Sequence, residues 1–311
     1  MTARMSLASV ALIAVGAAAI GVSFPAASAR AIAQVRPDSR EALDAIIKEE
    51  VGDASRSNIQ RRLAVRTPQG PVPRTSWDGK PDFNGVYYPY VDVVKPPVPL
   101  ESLYRPEVQA LRKKLHREIT PNQHCYPEPP LSSFTPPHPI QIFHGPGTVV
   151  IINEQFGNAR VIPIVDGPPK HNPSVRPSFQ GDAVGHWEGD TLVVDVTNFN
   201  GRNWLFDPLH LTSDALHIVE RWTRPDALTV ENEGVVEDPK MLTAPWKSAL
   251  MRRGQLKHDF SSFDPCFDDS AELALTLAAI KAPPAQVQLS KDALLYGAHV
   301  VLEREAAKGT K

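Results

Sequence analysis

Three tight reversals between β-rich runs, all within Thr148 to Val236, constrain this chain more than any other feature. TVVIINEQF (Thr148 to Phe156) meets ARVIPIV (Ala159 to Val165) across Gly157-Asn158. AVGHW (Ala183 to Trp187) meets TLVVDVTNF (Thr191 to Phe199) across Glu188-Gly189-Asp190. ALHIVERWT (Ala215 to Thr223) meets ALTVENEGVV (Ala227 to Val236) across Arg224-Pro225-Asp226. β-branched and aromatic residues fill the runs, and turn formers fill the gaps. No helix of crossover length separates these runs, which disfavours a parallel doubly wound sheet. The pattern predicts a mainly β fold, an antiparallel barrel or half-barrel whose closure removes exposed strand edges.

The flanks add one more strand and several helices. FNGVYYPYVDVV (Phe83 to Val94) has strand composition. PEVQALRKKLHR (Pro106 to Arg117) predicts a short helix with proline at its start. A proline-rich connector follows from Pro121 to Pro139. Asp38 to Val65 has helical spacing, with a linker of turn formers from Thr67 to Pro81. The alanine-rich stretch Ala271 to Ala282 predicts another helix, while Val287 to Leu302 fits strand or helix equally. At the N-terminus, Arg4, the apolar run Leu7 to Val22 and Ala27-Ser28-Ala29 have the form of a secretory signal. The expected organisation is a signal over residues 1–29, a helical arm and linker over 30–72, and a barrel domain over 73–311. The expected location is periplasmic or secreted, with no stable membrane insertion once the signal is cleaved.

Composition narrows the partners. The net charge of −2 is mixed along the chain and argues against nucleic acid. Proline is abundant at 31 of 311 residues, much of it in connecting segments, which favours long loops around a compact core. The two cysteines, Cys125 and Cys266, are candidates for a disulfide in an oxidising compartment. Such a bridge would close a loop of about 140 residues, worth about 4–5 kcal/mol in the chain-entropy model. Two buried thiols or one catalytic thiol are the alternatives.

Several motifs stand in a fixed order: PRTSWDGKPDFNGVY, VVIINE, ARVIPIVDG, GHWEGDTLVVDVTNFN, SDALHIVERW, EDPK and PW. Together they resemble a large family of secreted bacterial proteins, mostly uncharacterised, over Pro73 to Cys266. The resemblance implies a calycin-like barrel and a secreted location. This sequence departs from the family pattern in three places. His186 stands where members carry arginine, Asp182 where many carry histidine, and Leu211-Thr212 where members carry a Pro-His pair.

The candidate chemistry centres on Ser213 to Trp222. On a strand, His217, Val219 and Arg221 share one face, while Leu216, Ile218, Glu220 and Trp222 share the other. Apolar and ionisable residues therefore mix on both faces, which favours a polar pocket inside a barrel. Asp195, midway along TLVVDVTNF, needs a partner such as Arg221 or His217. In the catalytic reading, His217 or His210 is a general base, Asp214 orients it, Glu220 is an acid, and Arg221 or Asn153 stabilises developing negative charge. In the structural reading, the same groups form ion pairs and turn caps. Asn153, Glu154, Arg160, His186, Trp187, Asp195, Trp204 and Trp222 are candidate substrate-binding residues. His138 and His144 are read as loop histidines, solvated more often than functional.

Nucleophile elbows, phosphate loops, dinucleotide fingerprints and CxxC pairs are all missing from the sequence. No cofactor is expected. His210, His217 and a carboxylate are the set a metal would use, but no metal is expected. One function is a barrel that binds a small apolar or aromatic molecule and catalyses cofactor-independent proton transfer, as a lyase, isomerase, cyclase or hydrolase. The alternatives are a non-catalytic lipophile carrier or sensor, and a structural envelope protein. A homo-oligomer is compatible with the N-terminal arm.

Overall fold

The computed structural model describes residues 70–89, 96–121, 124–127, 129–131, 139–154, 158–205, 209–256 and 280–309. The signal stretch and most of the N-terminal arm lie outside these residues.

Ten strands form one antiparallel sheet. β1 is Gly85–Pro89, β2 Ile140–Gly145, β3 Thr148–Asn153, β4 Ala159–Pro163 and β5 Asp182–Glu188. β6 is Thr191–Thr197, β7 His217–Thr223, β8 Thr229–Glu237, β9 Trp246–Lys247 and β10 Met251–Leu256. The strand order is β4-β3-β2-β1-β10-β8-β7-β6-β5, with the short β9 pairing off the path against β8. The ends of this path approach each other. Ile164 and Gly185 form a parallel bridge, and the Val165 amide donates to the Gly185 carbonyl at 2.8 Å. The result is a nearly closed nine-strand antiparallel barrel, consistent with the calycin type. Gly185 sits at the seam because a Cβ there would lie 2.7 Å from Ile164 Cδ1.

The three hairpins read from the sequence are β3–β4, β5–β6 and β7–β8, each paired in continuous register. Alternation then selects what faces inward. Val149, Ile151 and Asn153 of β3 are buried, as are Ile218, Glu220 and Trp222 of β7. The barrel also uses β2 and β10, which the sequence pattern did not separate from their flanks. IQIFHG is brief and contains a glutamine, and MRRGQL carries two arginines and a glycine. Only pairing of β10 with β1 and β8 identifies it as a strand.

Three α-helices lie among the described residues: α1 Pro106–Lys114, α2 Pro284–Tyr296 and α3 Ala298–Gly309. In α1, Pro106 opens the first turn, Glu107 lies near the positive end of the helix dipole, and Arg112, Lys113 and Lys114 lie near its negative end. Val108 and Leu111 bury its inner face. The segment that fitted strand or helix equally is α2 followed by α3. The helices break at Gly297, whose φ of 95° suits glycine; a Cβ there would lie 2.5 Å from the Gly201 carbonyl oxygen. Ala271 to Ala282 lies almost wholly outside the described residues.

Candidate functional site

A polar layer crosses the inside of the barrel. Arg160 on β4 and Glu220 on β7 are not sheet neighbours, yet their side chains meet. Arg160 Nη1 donates to Glu220 Oε2 at 2.6 Å, and Nη2 donates to Oε1 at 3.3 Å. Glu220 is 0% exposed and Arg160 6%. On β8, Asn232 pairs directly with Trp222 of β7 and accepts a hydrogen bond from Arg253 Nη1 of β10. Arg253 is itself 0% exposed, with its guanidinium over the Trp222 ring at 5.5 Å. Burial pulls the Arg253 guanidinium down to about 9, against the attraction of Glu220. Asn153 stands on the same face as Ile151, the cross-strand partner of Arg160, and so joins the layer at its other end.

Asn232 Nδ2 and Asn153 Oδ1 are among the buried atoms of this layer with no hydrogen-bond partner among the described residues. Buried polar groups are nearly always satisfied by protein or by something bound. The apolar neighbours Ile218, Ile151 and Ile162 are also fully or almost fully buried. The layer therefore offers a hydrogen-bond donor and an acceptor inside an otherwise apolar interior.

A second constellation runs across the outer face of β5 to β8. His171, in the loop before β5, bonds Asp182 Oδ2 through Nδ1 at 3.0 Å and Asp195 Oδ1 through Nε2 at 2.8 Å. His217 bonds the other Asp195 oxygen through Nε2 at 3.0 Å and Glu237 Oε2 through Nδ1 at 3.2 Å. Carboxylates and imidazoles thus alternate from Asp182 to Glu237. The hydrogen bond to Asp195 lifts the His217 imidazole above its ordinary value, outweighing burial, and Glu237 adds to it. Burial alone would push the Asp195 carboxyl up, but the hydrogen bonds from His217 and His171 hold it below the usual range. His217, bonded to a carboxylate at each nitrogen, is best satisfied as imidazolium, the form that donates twice. In this arrangement His217 keeps no open nitrogen to take a proton from a substrate.

The residues singled out from the sequence thus separate. Arg160 and Glu220 meet inside, where Asn153 and Trp222 are also buried, while His217, Asp195 and Arg221 are outside. Arg221 bonds Glu188 at 2.8 Å on that outer face, and His186 reaches the same carboxylate at 3.4 Å. Of the two partners weighed for Asp195, the structure supplies His217. His210 Nε2 lies 2.7 Å from Glu101 Oε1. Asp214 bonds Lys240 at 2.7 Å and lies 3.6 Å from His299, so it orients neither His210 nor His217. Glu154 follows β3, and its amide donates to the Pro139 carbonyl at 3.0 Å. Trp204 is buried core. Trp187 stacks on Phe83 at 6.0 Å beside His144, which is a buried strand residue rather than a solvated loop histidine. His138 and Cys266 lie outside the described residues.

His171, Asn232, Glu237 and Arg253 were not among the residues expected. For Asn232 a signal existed: Val230, Asn232, Gly234 and Val236 share one face of β8, and a lone amide among apolar neighbours marks a buried polar site. His171 lies in a loop, and nothing local distinguishes it. No group of three or more His, Cys, Asp or Glu side chains suited to a metal occurs among the described residues. No described helix is long and apolar enough to cross a membrane.

No family model matches the chain, and no curated protein matches it. It is similar to a crystal structure described as a secretary abundant heat soluble (SAHS) protein from Ramazzottius varieornatus. The identity is 11%, covering 58% of this chain and 100% of that one, with a TM-score of 0.29. The barrel assignment rests on the strand pairing of this chain, not on that likeness.

Proposed function

We propose that this chain is a ligand-binding barrel that holds one small molecule against its inner polar layer. The observation that carries this reading is that two buried amide atoms of the inner layer, Asn232 Nδ2 and Asn153 Oδ1, have no hydrogen-bond partner among the described residues. A ligand with an apolar or aromatic body and a polar head would fill the role. Its head accepts from Asn232 and donates to Asn153, and its body packs on Trp222 and the aliphatic residues around it.

Binding is favoured over proton transfer in the interior. Glu220 is bonded through both oxygens to Arg160, which suits a fixed scaffold. The alternative reading, cofactor-independent acid–base catalysis at His217, is disfavoured because both ring nitrogens are already bonded to carboxylates. The N-terminal signal pattern supports a periplasmic or secreted location. A Cys125–Cys266 bridge belongs to this reading and fits an oxidising compartment.

Native mass spectrometry of the protein purified from the periplasm tests the reading. A small molecule should co-purify with the wild type and be lost from Asn232→Leu, while the variant stays folded. Each co-purified molecule is then incubated with wild type and His217→Ala. Recovery unchanged from both supports a carrier; conversion by the wild type alone would establish catalysis. A wild type that carries nothing, and a variant as stable or more stable, would make the layer a purely structural network.

A further inference from the structure

An open cleft of about 270 Å³ lies outside the barrel interior, lined by Arg105, Glu237, Asp238, Pro239, Leu242 and the following loop. Its walls are fixed by backbone pairing. The Arg105 amide donates to the Met241 carbonyl at 2.9 Å, and the Thr243 amide donates to the Leu103 carbonyl at 2.8 Å.

Two charges face this cleft in unlike states. Arg105 Nε donates to the Pro239 carbonyl at 2.9 Å, which fixes the plane of the guanidinium. Its Nη1 and Nη2 have no partner among the described residues and form an open fork, the geometry that grips a carboxylate with two parallel hydrogen bonds. Glu237 has a side chain 51% exposed, with Oε2 on His217 and Oε1 without a partner among the described residues. Asp238 is withdrawn from the competition. It accepts from the Ser213 amide at 2.7 Å, the Ser213 hydroxyl at 2.6 Å and the Met241 amide at 3.2 Å, and it is buried.

We propose that this cleft is a second binding site, for a small zwitterion with an apolar side chain. The ligand carboxylate lies on the Arg105 fork, its ammonium lies on Glu237, and its side chain packs on Pro239, Leu242 and Pro245. Charge balance selects this class. A simple anion would meet the Glu237 carboxylate, and a simple amine would meet the Arg105 guanidinium, whereas a zwitterion matches both. The His217–Asp195 pair behind Glu237 holds that carboxylate in place.

Calorimetric titration of the full chain with L-leucine, N-acetylleucine and leucinamide tests the assignment. Leucine should bind saturably. The acetyl derivative lacks the ammonium and the amide lacks the carboxylate, so each should bind at least about tenfold more weakly. Arg105→Gln and Glu237→Gln should each weaken leucine by a similar factor. Arg105→Lys keeps the charge but loses the fork, and should fall between. Melting transitions recorded for each variant separate lost binding from lost folding. Absence of saturable leucine binding at millimolar concentration would overturn the proposal, as would equal binding of the three probes. Neither result bears on the barrel interior, whose occupant is sought by a different measurement.

Discussion

Replacing Arg160 with methionine isolates the energetics of the inner layer. The substitution keeps much of the side-chain volume but leaves Glu220, fully buried, without its two hydrogen bonds. Breaking a buried pair from one side costs about 3–5 kcal/mol, because the remaining charge loses its compensation. Arg253 still attracts Glu220, which places the loss near the lower figure, about 3 kcal/mol. Urea denaturation of the variant and the wild type at neutral pH measures this. The double variant Arg160→Met, Glu220→Met should recover most or all of the loss, since replacing both members of a buried pair is often neutral or stabilising. A cost below about 1 kcal/mol would refute the reasoning, because it would mean that water reaches Glu220.

Other perturbations address the rest of the molecule. His217→Gln should lower stability most between about pH 4 and pH 6.5. The contribution of the raised His217 is complete below 6.5 and fades as pH rises through its folded value, while that of the lowered Asp195 fades as pH falls below 3.8. A constant difference from the wild type across pH 4 to 9 in thermal melts would contradict the pairing. Gly201→Ala should cost on the order of 2 kcal/mol, since φ there is 69° and a Cβ would lie 2.7 Å from the Asp214 amide nitrogen; an unchanged melting temperature would count against this packing. The proposed Cys125–Cys266 bridge predicts that both thiols resist alkylation after denaturation unless a reductant is added, and prompt labelling would exclude the bridge.

Much of the architecture was legible because period-two alternation and tight turns are local properties. The three central hairpins, the helix at Pro106 and the separation of His217 from Glu220 by strand face all follow from them. Segments with weak local patterns were not legible. β2 and β10 become strands through pairing with distant partners, and α2 and α3 come from a segment whose composition suits two conformations.

The candidate site divides along the same line. The sequence by itself determined that ionisable residues occupy both faces of β7, and that Asp195 needs a partner from a neighbouring strand. Only the tertiary structure decided which groups meet. Curvature carries Arg160 across the interior to Glu220, and brings Asn232 and Arg253 together at sequence positions with no shared motif. A loop supplies His171, which completes the outer chain of carboxylates and imidazoles. Those contacts depend on barrel closure, register and the path of a long loop, all of them long-range quantities that a local pattern of side chains does not encode.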